Sequence, residues 1–214
     1  MKRIIFALLA LSVLFSMAAC GETVKETKGD ELGTVTEEIK KTEEQVKTEE
    51  AKKTEEAADL DAAGIINKAW DKIAEDKKFP VMGGDFDASV DGKAGKINVK
   101  NVENVTATLH ITEDALGKVL DAAALTHMMN ANTFTCASYH VKSEDASALT
   151  SSLKDSIKST RWMCGFPETL IIYTVNGEYV VAAFGNGEAI NSFKTALTDV
   201  YGANAVLNVE EPLA

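Results

Sequence analysis

Leu170-Ile171-Ile172-Tyr173-Thr174-Val175-Asn176-Gly177-Glu178-Tyr179-Val180-Val181-Ala182-Ala183-Phe184 is the stretch on which the fold turns. Asn-Gly at its middle is the strongest short-range hairpin signal, because a tight hairpin turn needs positive φ at its two central residues. The flanking runs, 170–175 and 178–184, are rich in Ile, Val, Tyr and Phe, which suit a pleated, buried surface. Upstream, 133–142 reads as a strand with Phe134, Cys136 and Ser138 on one face and Ala137, Tyr139 and Val141 on the other. Between that strand and the hairpin, Ser143 caps a helix over 144–160. Its stripe Ala146, Leu149, Leu153, Ile157 keeps helical spacing, and Gly165, Phe166 and Pro167 break it. Downstream, a helix over 187–201 carries Ile190, Phe193, Leu197 and Val200 and stops at Gly202. Residues 205–209 can add a last short strand. The order β-α-β-β-α, with a closing β, makes the fold α+β. A right-handed crossover joins the first two strands in parallel and the hairpin adds the third. With the hairpin's second strand beside the first strand, this is a ferredoxin-like split βαβ with helices on one sheet face.

Farther upstream the signals weaken. Residues 61–78 read as a helix with Asp61 as N-cap, Leu60 and Ile65 as a hydrophobic staple, and Ile66, Ala69, Trp70 and Ile73 buried. Phe79-Pro80 ends it. The glycine-rich span 81–101 reads as loop. Over 102–111, Val105, Ala107, Leu109 and Ile111 alternate as in a strand, yet the same spacing fits a short helix. Thr112-Glu113-Asp114 starts a helix that is expected to end near Asp121.

The N-terminal quarter carries an address. The chain has 214 residues and a net charge of -11, of which -8 falls on 59–214. Such an acidic balance excludes nucleic acid, whose phosphates need a local excess of Lys and Arg, and electrostatic docking on an anionic membrane. Residues 1–20 read as a lipoprotein signal peptide. Lys2 and Arg3 form the charged n-region, 4–17 is an apolar run too short to span a bilayer, and Met17-Ala18-Ala19-Cys20 resembles the bacterial lipobox. That resemblance implies a lipid (diacylglyceryl and fatty-acyl chains such as palmitate) on Cys20. The alternative is an ordinary secretory signal with a chance cysteine. Residues 21–58 form a charged tether built on the repeat TEEIKK, TEEQVK, TEEAKK, TEEAAD. Six residues turn a helix by about 600°, so no apolar stripe aligns and no coiled coil is expected. A solvated helix, held by Glu–Lys pairs such as Glu37–Lys41, and a coil with fluctuating turns both remain. Residues 59–214 are the globular extracytoplasmic domain, with enough chain for one core.

Phe79-Pro80-x-Met82, the strand–helix unit 133–160, Pro167-Glu168 and Gly177-x-Tyr179-Val180, together with the signal and tether, resemble a family of short Firmicutes lipoproteins with one C-terminal extracytoplasmic domain of unknown function. The resemblance implies location and architecture. It implies no activity and no catalytic residue.

Chemistry-bearing motifs are sparse. His110, His127 and His140 lack metal-ligand spacing, and no Cys-x2-Cys pair occurs. Cys136 and His140 lie about 13 Å apart along a strand, too far for a nucleophile–base pair. There is no Gly-x-Ser-x-Gly elbow and no phosphate-binding glycine loop. The run from Asp85 to Gly92 has the look of a calcium loop, but Val90 stands where glycine is needed and Lys96 where the bidentate Glu belongs. A looser surface calcium site, or a solvated acidic loop, remains. Gly185-Asn186-Gly187 opens a helix whose N-terminus could accept an anion, or is a simple turn. Neither a metal nor a cofactor is expected. Cys136 and Cys164 are a candidate disulfide: the crossover helix returns the chain to the end of the sheet where Cys136 lies, and an exported domain permits oxidation. Two thiols that never meet are the alternative. Trp162 and Phe166, in Arg161-Trp-Met-Cys-Gly-Phe-Pro167, are the candidate binding surface, unless the loop folds back as a plug on the core.

The expected function is a lipid-anchored extracytoplasmic lipoprotein at the cell membrane, not an enzyme but a binding or assembly module for an envelope protein or cell-wall component. The alternative is a small cell-wall or lipid-modifying hydrolase. A two-lobed solute-binding protein would need a longer chain.

Overall fold

The computed structural model describes residues 60–213. The signal 1–20 with Cys20 and the tether over 21–58 lie outside the described residues. The elements are α1 Ala62–Lys72, β1 Val81–Gly83, β2 Val90–Asp91, β3 Gly95–Lys96, α2 Val102–Leu109, α3 Glu113–Leu116, β4 Asp121–His127, β5 Phe134–His140, α4 Ala146–Ser159, β6 Thr169–Val175, β7 Tyr179–Gly185, α5 Gly187–Tyr201 and β8 Ala205–Pro212. The fold is α+β, with helices against an antiparallel sheet.

The hairpin β6–β7 forms where Asn176-Gly177 foretells it. Both residues take positive φ, 52° and 78°, and Val175 pairs with Tyr179 across the turn. Strand order is β2-β1-β4-β5-β7-β6-β8, with β3 paired to β4. Thus β7 sits between β5 and β6, as the split βαβ requires. Two features depart from the ferredoxin-like expectation. The closing strand β8 pairs β6, because the free edge of β5 is taken by β4. Helices cover both faces of the sheet. On one face α1 and α5 bury Ile65, Trp70 and Phe193 against Leu125, Phe134 and Val181. On the other, α2, α3 and α4 bury Leu109, Leu116 and Leu153 against Tyr139, Ile172 and Val180. The reason is geometric. The crossovers β5–α4–β6 and β7–α5–β8 step the same way across the sheet from oppositely directed strands. Crossovers of one hand must then place their helices on opposite faces.

The span 81–101 is not a plain loop. It carries β1, β2 and β3, and β1 and β3 share one edge of β4 end to end: Val81 to Gly83 pair with His127 to Leu125, and Gly95 and Lys96 pair with Ala124 and Ala123. The ambiguous span 102–111 is helical at Val102–Leu109, with Val105 and Leu109 buried one turn apart. Thr112 caps α3, its hydroxyl accepting from the Ala115 amide, but α3 stops at Leu116 and Asp121 opens β4. The helix starting at Asp61 is capped as expected, its carboxylate accepting from the Gly64 amide at 2.8 Å. That α-helix ends at Lys72, followed by a 3-10 turn, Glu75–Lys77. Ser143 does not cap the α4 helix. It opens a 3-10 turn, Ser143–Asp145, ahead of Ala146. No described helix is long and apolar enough to cross a membrane.

Candidate functional site

One end of the sheet, where β4 and β7 finish and β5 and β6 begin, collects the loops 128–133 and 160–168. The last of these is tied down by side-chain amides. Asn130 donates to the Cys164 carbonyl at 3.0 Å, and Asn132 donates to the carbonyls of Met163 at 2.8 Å and Gly165 at 3.0 Å. His127 Nδ1 in turn accepts from the Met129 and Asn130 amides. The loop therefore has a fixed shape, and it divides its apolar side chains. Trp162 turns inward, half-buried, its ring 5.1 Å from Phe184 and edge-on to His110 at 5.0 Å. Met163 and Phe166 turn outward, 74% and 72% exposed. Of the two residues expected at a binding surface, Trp162 thus packs on the core and Phe166 faces solvent.

A residue that the sequence reading passed over joins this rim: Met129, 83% exposed, while Phe86, 90% exposed, stands on the loop that leaves β1 opposite Leu125, away from this end. So many large apolar side chains left in water at one end of a folded domain mark a contact surface. Behind the rim, on the α2 side of the sheet, lies a cavity of about 660 Å³, inside the range of small-molecule sites. Its walls include Met82, Leu109, Trp162 and Met163, with Asp85 and Arg161 among its polar residues. His110, at the left-handed C-cap of α2, braces Trp162 and lies 3.3 Å from the Thr160 hydroxyl. Burial holds its imidazole below the usual histidine range. A second hollow, of about 610 Å³ between α1 and α5, is lined by surface residues of those helices, Lys72, Glu188 and Asp199 among them, and has no aromatic wall.

Cys136 and Cys164, the candidate disulfide, are unbridged, and the alternative of two thiols that do not meet is the one the structure takes; both are free. Cys136 points from β5 into the α1/α5 face. Helix α4, which leads to Cys164, covers the opposite face, so the chain arrives on the wrong side of the sheet. Burial pushes the Cys136 thiol well above its ordinary range, whereas Cys164 is exposed. With Cys20 replaced by Ala, native protein without reductant is expected to titrate one fast thiol and, on denaturation, a second. A disulfide would give none.

The anion reading of the helix after Gly185 is met from within the chain. Glu168 Oε2 accepts the Gly187 amide at 2.8 Å, and Asn186 Oδ1 accepts the Ala189 amide at 2.8 Å. Glu168 fills the place an external anion would take. The acidic run after Asp85 is partly spent as well: Asp85 Oδ2 accepts the Asn98 amide at 2.6 Å, and Phe86–Ala88 forms a 3-10 turn. Among the described residues no group of three or more His, Cys, Asp or Glu side chains is placed to hold a metal.

The other end of the sheet is polar and serves the start of the domain. Asp121 accepts the Ala62 amide at 3.1 Å, Lys96 pairs with Asp61 at 3.1 Å, and the Tyr179 hydroxyl donates to the Leu60 carbonyl. Burial raises the Asp61 carboxyl, but the Gly64 amide and the Lys96 ammonium outweigh it and hold the group below its usual range. His140 stacks on Tyr179 at 4.6 Å. Leu60 is thus fixed at the end where β7 begins, a seven-residue strand, or about 23 Å, away from the apolar rim. Compared with known proteins, the chain matches no protein-family model, no curated sequence and no solved structure.

Proposed function

We propose that the protein is a lipoprotein anchored to the cell membrane through Cys20, and that its extracytoplasmic domain is a non-catalytic binding module for an envelope protein or cell-wall component. The observation that carries the reading is polarity of the domain: the exposed side chains of Met129, Met163 and Phe166 gather at the end opposite Leu60. A tether that joins at Leu60 holds the rim away from the membrane. Large, rigidly held apolar side chains of this kind supply most of the energy of a protein contact, and the amide-tied loop lowers the ordering cost of binding.

One experiment tests both halves. In cells fed labelled fatty acid, wild-type protein is expected to carry label in the membrane fraction and Cys20→Ala to carry none. Purified Met163→Ser/Phe166→Ser is expected to melt within a few degrees of wild type, because both side chains are exposed, while losing the envelope partner that wild type captures. Label persisting on Cys20→Ala removes the anchor. Undiminished capture by the double variant removes the rim. Hydrolysis of peptidoglycan or lipid by wild type, abolished by one polar substitution, replaces the module with an enzyme.

A further inference from the structure

The cavity behind the rim is walled by apolar side chains and by polar ones whose protons are already used. Met82, Ile97, Leu109 and Trp162 line it. So do three threonines, each donating to a carbonyl four residues back: Thr108 to Asn104 at 2.7 Å, Thr135 to Ala131 at 2.9 Å and Thr160 to Ser156 at 3.0 Å. The Asn132 side-chain amide is spent on the carbonyls of Met163 and Gly165. A sugar or a peptide backbone entering here would find few donors for its oxygens, whereas an apolar body gains by leaving water. Phe86 and Met163 also line the cavity, and both leave most of their apolar surface in solvent. Such a body therefore covers surface that the fold itself leaves wet.

Only one charge in the lining is offered to a ligand. Asp85 is turned into the protein: Oδ2 accepts the Asn98 amide at 2.6 Å, and Oδ1 is buried. Burial keeps His110 uncharged at neutral pH. Arg161, set between Thr160 and Trp162 in the same wall, is exposed and pairs with no described acid. Its planar fork of N–H donors matches a carboxylate.

We propose that this cavity binds a small aromatic carboxylic acid, its rings against Met82, Leu109 and Trp162 and its carboxylate on Arg161. The thioethers of Met82 and Met163 and the indole of Trp162 favour a ring as the apolar body. A charge-assisted hydrogen bond to the guanidinium fixes the acid end. The site is separate from the protein contact assigned to Met129 and Phe166, and it stands or falls without it.

Titration calorimetry on the full chain in detergent, with each probe also titrated into detergent alone, tests this with naphthoate, its uncharged amide naphthamide, and acetate. Naphthoate is expected to bind saturably and naphthamide at least about tenfold more weakly, the equivalent of about 1.4 kcal/mol. Acetate, which has the charge without the rings, is expected to give no saturable heat. Arg161→Gln, an exposed substitution that does not threaten folding, is expected to lower naphthoate to the affinity of the amide and to leave the amide unchanged. Ala107 lines the cavity from the exposed side of α2. Ala107→Phe is expected to fill the space, melting like wild type while binding neither naphthalene. Equal affinity of wild type for naphthoate and naphthamide overturns the role of Arg161. Undiminished binding by Ala107→Phe overturns the cavity. Acetate binding as tightly as naphthoate, or no binding of naphthoate at all, overturns the proposal as a whole.

Discussion

Phe134→Ala is expected to destabilise the domain by about 3–5 kcal/mol, the range of large-to-small aromatic changes in a core. Phe134 is fully buried, and three rings close on it: Phe79 at 5.3 Å and Phe193 at 5.6 Å, both edge-on, and Trp70 at 6.0 Å. These rings come from α1, from the turn after it and from α5, so one deletion loosens the whole helical layer on that face. Edge-to-face geometry adds to the area lost from packing. The surrounding side chains are themselves held by other contacts and cannot collapse into the gap, which puts the cost at the high end of the range. Urea unfolding of the two proteins measures it. A loss below about 1 kcal/mol would mean that the layer repacks freely and that Phe134 is not its centre.

Gly83→Ala is expected to cost about 3 kcal/mol, at the upper end of what overpacking does. A Cβ at this position would stand 2.3 Å from the Gly95 nitrogen and 2.5 Å from the carbonyl oxygens of Ala124 and Lys93. All three are backbone atoms, and none can swing aside as a side chain would. The close approach exists because β1 and β3 meet end to end on the same edge of β4. The damage is therefore expected first at that edge. Amides of 81–96 should exchange with solvent faster by orders of magnitude, while those of β5, β6 and β7 change only as global stability falls. Unchanged melting with unchanged exchange would contradict the meeting of the two strands.

The elements that were legible in the sequence are those whose local chemistry and burial agree. The hairpin has its turn residues and its β-branched runs, and α4 and α5 have uninterrupted apolar stripes. Strand β4 was not legible because its centre is Ala122-Ala123-Ala124. Alanine favours helix in isolation, and only pairing to β5 on one side and to β1 and β3 on the other makes it extended. The three short strands before it hide among glycines for the same reason: the partner, not the residue, decides. Helix α2 was ambiguous because Ala107 lengthens the alternation set by Val105 and Leu109, though it is exposed. Which faces the helices cover depended on whether the last strand joined β5 or β6, a choice made by β4 and so invisible without it. The site follows the same rule. Trp162 and Phe166 stood out as an apolar loop. Met129 is distant in sequence from both, and only the turn from β4 into β5 sets its loop beside 160–168, where Asn130 and Asn132 hold the carbonyls of 163–165. The choice between a Cys136–Cys164 bridge and two separate thiols was open because the sequence shows at which end of a sheet a loop returns, not on which side of it.

The hydrogen bonds that hold Leu60 and Ala62 have a mechanical consequence. Tyr179 and Asp121 stand at the first residues of β7 and β4, so tension arriving through the chain at Leu60 enters the sheet at two interior strands. If the opposite end is held, the pull runs lengthwise along those strands. Ladder hydrogen bonds loaded lengthwise share the force and must break together, whereas a pull across the sheet would open them one at a time. The domain is oriented to resist stretching between its two ends and to yield when peeled from β2 or β8 at its margins.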